Sequence, residues 1–164
     1  AASKRHRIRR YLWRMITGFQ HLHSAMRWVV LALIVVTIVK AWSAKRNASG
    51  FSAGQAKLGL FSMISLHIQL LLGLALYFMK GWASMLGTPG VMSSTVMRFF
   101  AVEHLVGMLI AIIFGTLGHS LVKRASTDEL KNRRQFRYFL IALVIIVASI
   151  PWPIRPGFEA YGWF

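Results

Sequence analysis

Met97-Arg98-Phe99-Phe100-Ala101-Val102-Glu103-His104-Leu105-Val106-Gly107 opens a long apolar run that ends near Val122. The run is long enough to cross the roughly 30 Å hydrocarbon core of a bilayer as a helix, yet it carries three ionisable side chains near its start. An ionisable group in hydrocarbon costs at least about 2.5 kcal/mol, so it is expected to face a bundle interior and serve a purpose. The chain has four acidic residues; Asp128, Glu129 and Glu159 lie in polar surroundings, and Glu103 does not.

Outward from this segment the same texture repeats. The chain of 164 residues is 56% hydrophobic with a mean hydropathy of +0.54, too apolar for a soluble domain of this size. Four spans are expected, at residues 24–42, 57–79, 97–122 and 136–150, the last being the shortest. Backbone groups in lipid must be satisfied within the segment, so the expected fold is an all-α membrane protein, a four-transmembrane-helix bundle over residues 21–164. Lys80–Val96 holds Gly81, Gly87, Pro89 and Gly90 and reads as an irregular loop. Pro151-Trp152-Pro153 stops the last helix at an interface, where the aromatic tail 157–164 is expected to lie.

The net charge is +16. The cations flank apolar segments, where they meet anionic headgroups; no soluble domain is present to offer a groove, so nucleic acid is not an expected partner. Residues 1–20 carry Lys4, Arg5, Arg7, Arg9, Arg10 and Arg14 among Tyr11, Leu12, Trp13, Met15 and Ile16, a basic amphipathic arm suited to a lipid surface. No signal-peptide cleavage pattern stands before the first span. The first and third connections are both basic and share one face, which places them in the cytoplasm and both termini outside, although the basic arm pulls the other way. With no cysteine, disulfides, zinc–thiolate sites, iron–sulfur clusters and covalently attached c-type haem are excluded.

The polar residues inside the spans form the candidate site. His23 and Arg27 stand at the entrance to the first span, His67 and Gln69 in the second, Arg98, Glu103 and His104 in the third, and His119 near its far end. Two imidazoles from different helices are what a b-type haem iron requires. By depth, His67 and His104 are the best single pair, and His23 is an alternative partner for His104. A two-haem arrangement would pair His23 with His104 and His67 with His119. His104 and His119 are about 22 Å apart along the axis and roughly 60° apart around it. Each histidine also has a plain reading as a hydrogen bond between helices or as an interfacial side chain.

Glu103, Arg98 and Arg27 are candidates for orienting a ligating imidazole, for relaying protons near a quinone, or for an Arg–Glu lock between helices. The small residues Gly107, Ala111, Gly115 and Gly118 form a stripe with His104 that permits close helix packing or clears room for a flat macrocycle; close packing is favoured. No His-x-x-x-His or Glu-x-x-His spacing, no Ser/His/Asp arrangement and no glycine-rich phosphate loop is present.

Taken together, His21-Leu-His23-Ser-Ala-Met-Arg27-Trp, Leu66-His67-Ile-Gln69-Leu-Leu-Leu-Gly73, Met97-Arg98-Phe-Phe-Ala-Val-Glu103-His104, Gly118-His119-Ser120 and Ile150-Pro-Trp-Pro153 resemble a family of small four-helix membrane proteins of Bacteroidota labelled cytochrome B. The resemblance covers about residues 20–164. It implies a multi-pass protein of the bacterial inner membrane binding haem b, one or two, through His67 and His104, with His23 and His119 as further candidates. The implied function is electron transfer with quinone or within a larger respiratory or photosynthetic assembly of membrane subunits. The alternatives are a cofactor-free accessory transmembrane subunit and an ion channel using Glu103 and the histidines.

Overall fold

The computed structural model describes residues 2–162, with side chains over residues 6–162. Helix makes up 78% of it, and no strand occurs among the described residues. Helix α1 spans Ala2–Arg46, α2 Ala53–Met79, α3 Thr95–Lys123 and α4 Asp128–Ser149. A single helical turn, Trp82–Met85, interrupts the long second connection. α1 packs on α2 and α4, and α3 packs on α4 and α2, which closes a four-helix bundle.

Each of these helices presents an inward stripe of residues at intervals of three and four. On α1 this is Val30, Ile34, Thr37, Ala41 and Ala44; on α4 it is Asn132, Gln135, Phe139, Ala142 and Ile146, all buried. This spacing keeps one face of a helix toward its neighbours. The outward residues are also apolar, including Val35, Leu71, Ile113 and Val144. A helix that is apolar inside and out is suited to lipid, and the protein is membrane-embedded on these grounds.

Among the described residues three helices, not the expected four, are long and apolar enough to cross a membrane: α1, α2 and α3. The expected fourth span falls in α4, whose first turns carry Asp128, Glu129, Lys131, Arg133, Arg134 and Arg137. The apolar remainder falls short of the roughly 20 residues a span needs. Arg134 donates to the carbonyl of Leu121 at 2.7 Å, so part of this charged half caps the end of α3.

The basic arm is continuous with the first span in α1, and its ring residues Tyr11 and Trp13 are exposed. The side chains of Lys4 and Arg5 lie outside the described residues. The tail after Pro151 folds against the start of α3, where Phe158 is buried with its ring 4.8 Å from that of Phe99. Residues 163 and 164 lie outside the described residues.

The end of the bundle that carries the short connections is tied by amides. Gln55 Nε2 donates to Asn132 Oδ1 at 2.8 Å, Asn132 Nδ2 to the Ser49 carbonyl at 3.2 Å, and Gln135 Nε2 to the Gln55 carbonyl at 3.0 Å. Asn132→Ala strands the buried Gln55 amide and is expected to cost about 1–3 kcal/mol, read as a lower unfolding midpoint in detergent. The turn after α1 places Ala48 at φ 49°, in the left-handed region that Cβ disfavours. Ala48→Gly is expected to stabilise the fold by about 1 kcal/mol in the same assay.

Candidate functional site

The site lies at the opposite end, between α1, α2 and α3. His23 continues the inward stripe of α1, seven residues before Val30, and so projects into the bundle. α3 reaches the site through a π-helical turn, Phe99–Glu103, whose five-residue hydrogen bond runs from His104 N–H to the Phe99 carbonyl. Such a turn holds one residue more than an α-turn and rotates the residues before it relative to those after it. It is pinned from α2 by Tyr77, whose hydroxyl donates to the Ala101 carbonyl at 2.8 Å.

The two rings face one another: the centroids of His23 and His104 are 6.3 Å apart, with planes 74° apart. His104 Nδ1 lies 2.7 Å from the carbonyl of Ser149 on α4. A carbonyl only accepts, so Nδ1 carries the hydrogen and the Nε2 lone pair is left for a ligand. His23 is steadied by Gln69, whose Nε2 donates to the His23 carbonyl at 2.9 Å and lies 3.4 Å from His23 Nε2. His23 Nδ1 and Gln69 Oε1 are buried without a hydrogen-bond partner. Gly73 makes the room: a Cβ there would stand 3.1 Å from His23 Cε1.

A cavity of about 340 Å³ opens beside the two rings, lined by His23, Arg27, Gln69, Lys80, Phe100 and His104 with Leu70, Leu74, Leu105 and Met108. That volume falls in the range of small-molecule sites, about 300–1,000 Å³. Among the described residues no carboxylate lines it. Arg27 stacks over Trp28 at 5.3 Å and Trp152 at 5.9 Å. Lys80, just past the end of α2, donates to Gln20 Oε1 at 2.7 Å, and burial holds its pKa below the ordinary lysine value. The cavity is therefore apolar on its walls and positive on one side.

The expected pair of His67 and His104 does not form. His67 lies next to buried Leu66 but points off the bundle, with Nδ1–H donating to the Met63 carbonyl at 2.8 Å on its own helix. Depth along a helix was legible in the sequence; rotation about it was not. His119 lies at the other end, beside Gly59 on α2, about two helical turns from the level of His67, so those two do not pair. Glu103 is outward and bonded to Arg98 Nε at 2.5 Å, while Arg98 Nη1 donates to the Met92 carbonyl at 3.0 Å. This is a link within one helix start, away from the cavity.

The glycine stripe of α3 packs helices. A Cβ at Gly107 would collide with Ser149, one at Gly115 would lie 2.5 Å from Leu66, and one at Gly118 2.8 Å from Tyr138. Lys80, Gln20 and Ser149 were not legible as site residues, because they come from distant parts of the chain: the end of α2, α1 and α4. Gly73 carries a local signal, standing one turn after Gln69 on the same face.

Among the described residues no group of three or more His, Asp or Glu side chains is gathered as a metal site. No protein-family model, no curated protein and no solved structure matches the chain.

Proposed function

We propose that the protein is a b-type cytochrome of the bacterial cytoplasmic membrane, in which His23 and His104 would hold one haem. The observation that carries this reading is the close approach of the two rings beside a cavity. Two imidazoles that would hold one metal, each at about 2 Å, need ring centres about 6 Å apart. The separation of 6.3 Å fits that distance. The bond from His104 to Ser149 fits as well, since ligating histidines donate their other ring N–H to a carbonyl or carboxylate.

When bound, haem supplies a one-electron iron centre whose potential the surroundings tune. The rest is the work of this chain. Ser149 fixes the tautomer and angle of His104. Gln69 and Gly73 hold His23 in place. Leu70, Leu74, Leu105 and Met108 exclude water, and Arg27 and Lys80 favour a carboxylate-bearing ligand and the more negative charge state of the site. Electrons would pass to or from a quinone and neighbouring membrane subunits, as the resemblance of residues 20–164 to the cytochrome B family implies. The basic short connections face the cytoplasm in this reading.

A pyridine haemochrome assay on protein made with adequate haem supply tests the proposal: one haem b per chain is expected. A second reading is favoured by three bonds that each join two helices, Tyr77 to Ala101, Gln69 to His23 and His104 to Ser149. Such bonds hold a cofactor-free accessory subunit together equally well, and that reading expects no haem.

A further inference from the structure

A second cavity, about 440 Å³, lies at the end of the bundle that carries the short basic connections. Its cationic rim is Lys57 of α2, Lys123 of α3 and Lys131 of α4. Lys131 is paired with Asp128 at 2.8 Å. Among the described residues Lys57 and Lys123 make no ion pair, so two uncompensated ammonium groups from different helices converge on one groove. Phe51, over which Lys131 Nζ lies at 5.7 Å, and the exposed Leu60 add apolar surface to the lining.

The groove also holds a buried amide with a spare acceptor. Gln135 is 1% exposed; its Nε2 is used on the Gln55 carbonyl, and its Oε1 has no partner. Gly59 leaves the space this amide occupies, since a Cβ there would stand 2.7 Å from Gln135 Nε2. A buried acceptor without a donor calls for a donor from the occupant. The groove therefore asks for three things together: a negative charge at the rim, a hydrogen-bond donor beyond it, and apolar surface alongside.

The geometry points to a glycerophospholipid headgroup: a phosphate held by Lys57 and Lys123, with a headgroup hydroxyl or ammonium donating to Gln135 Oε1. The position fits, because basic connections beside spans are where anionic headgroups concentrate. The phosphate satisfies the lysines, the headgroup donor satisfies Gln135, and the start of an acyl chain covers Phe51 and Leu60. This site is independent of the haem proposal and uses none of its residues.

The test is native mass spectrometry of the full chain in a neutral detergent, titrated with dioctanoyl phosphatidylglycerol and, separately, with dioctanoyl phosphatidylcholine, which has a phosphate but no headgroup donor. Saturable uptake of one phosphatidylglycerol, preferred over phosphatidylcholine, is expected. The double variant Lys57→Gln/Lys123→Gln is expected to bind about tenfold more weakly, while Lys57→Arg/Lys123→Arg retains binding. Gln135→Met is expected to weaken phosphatidylglycerol binding and leave phosphatidylcholine binding unchanged; should that variant not fold, dioctanoyl phosphatidylethanolamine, zwitterionic like phosphatidylcholine but carrying N–H donors, is expected to bind the unaltered chain more tightly than phosphatidylcholine. Equal binding of phosphatidylethanolamine and phosphatidylcholine overturns the role of Gln135. Unchanged binding in the glutamine double variant overturns the site. Displacement of the lipid by soluble glycerophosphoglycerol at matching concentration overturns the lipid as occupant in favour of a free phosphodiester.

Discussion

His104→Ala and His23→Ala are each expected to abolish the low-spin b-type haem spectrum, and His67→Ala to leave it intact. The difference between the two outcomes is large because in the proposed haem site His23 and His104 would bond iron directly, whereas His67 is exposed and bonded to its own helix. Loss of either ligand leaves the other imidazole in place, so residual haem in a ligand variant would be five-coordinate or occupied by a substitute, and its spectrum would differ in kind. His104→Ala also removes the bond to Ser149, so the variant needs a check on its fold. His104→Gln, which can keep a donor toward the Ser149 carbonyl without supplying an imidazole, separates ligation from packing. Retention of an unaltered spectrum in both His23→Ala and His104→Ala rules out this pair.

The second large effect concerns the α3–α4 seam. Gly118→Leu is expected to destabilise the bundle by about 3 kcal/mol or more, with a matching drop in the unfolding midpoint in detergent. A Cβ at Gly118 would stand 2.8 Å from Tyr138 Cβ, the stem of a side chain, which cannot swing aside. The helices must separate, and Ala111 and Phe139, both buried at the same seam, then lose contact. Gly115→Ala is expected to cost less, because its nearest neighbour is Leu66 Cδ1, the end of a flexible side chain. A Gly118→Leu protein as stable as the original would contradict this account of the seam.

The helices were legible from composition, because apolar runs of span length separated by Gly, Pro and basic residues admit little else. The status of α4 was not. Its inner face is a clean stripe from Asn132 to Ile146, but the first half of that stripe is amide rather than apolar, and hydropathy counts those residues against a span. The amides Gln55, Asn132 and Gln135 are tied to one another and to a loop carbonyl, a relation that no local pattern encodes.

The candidate histidines were legible in the sequence, but which of them stand together was not. That histidines inside the spans should meet was a sound expectation from the cost of polar groups in lipid. Which ones meet depends on helix rotation, and the depth of His67 carries no information about it. Glu103 and His104 are neighbours in sequence yet point apart, the first to Arg98 at the outside and the second to Ser149 on the next helix. The π-turn before His104 shifts the phase of α3 at that point, and a regular helical projection from Met97 misses the shift.

The most direct test is a dithionite-reduced minus oxidised absorption spectrum of membranes containing the protein, recorded before and after purification. A haem held by His23 and His104 predicts a sharp b-type α band that tracks the protein through purification. A flat difference spectrum in haem-replete membranes would contradict it, and the His23–His104 contact would then be a packing interaction between α1 and α3.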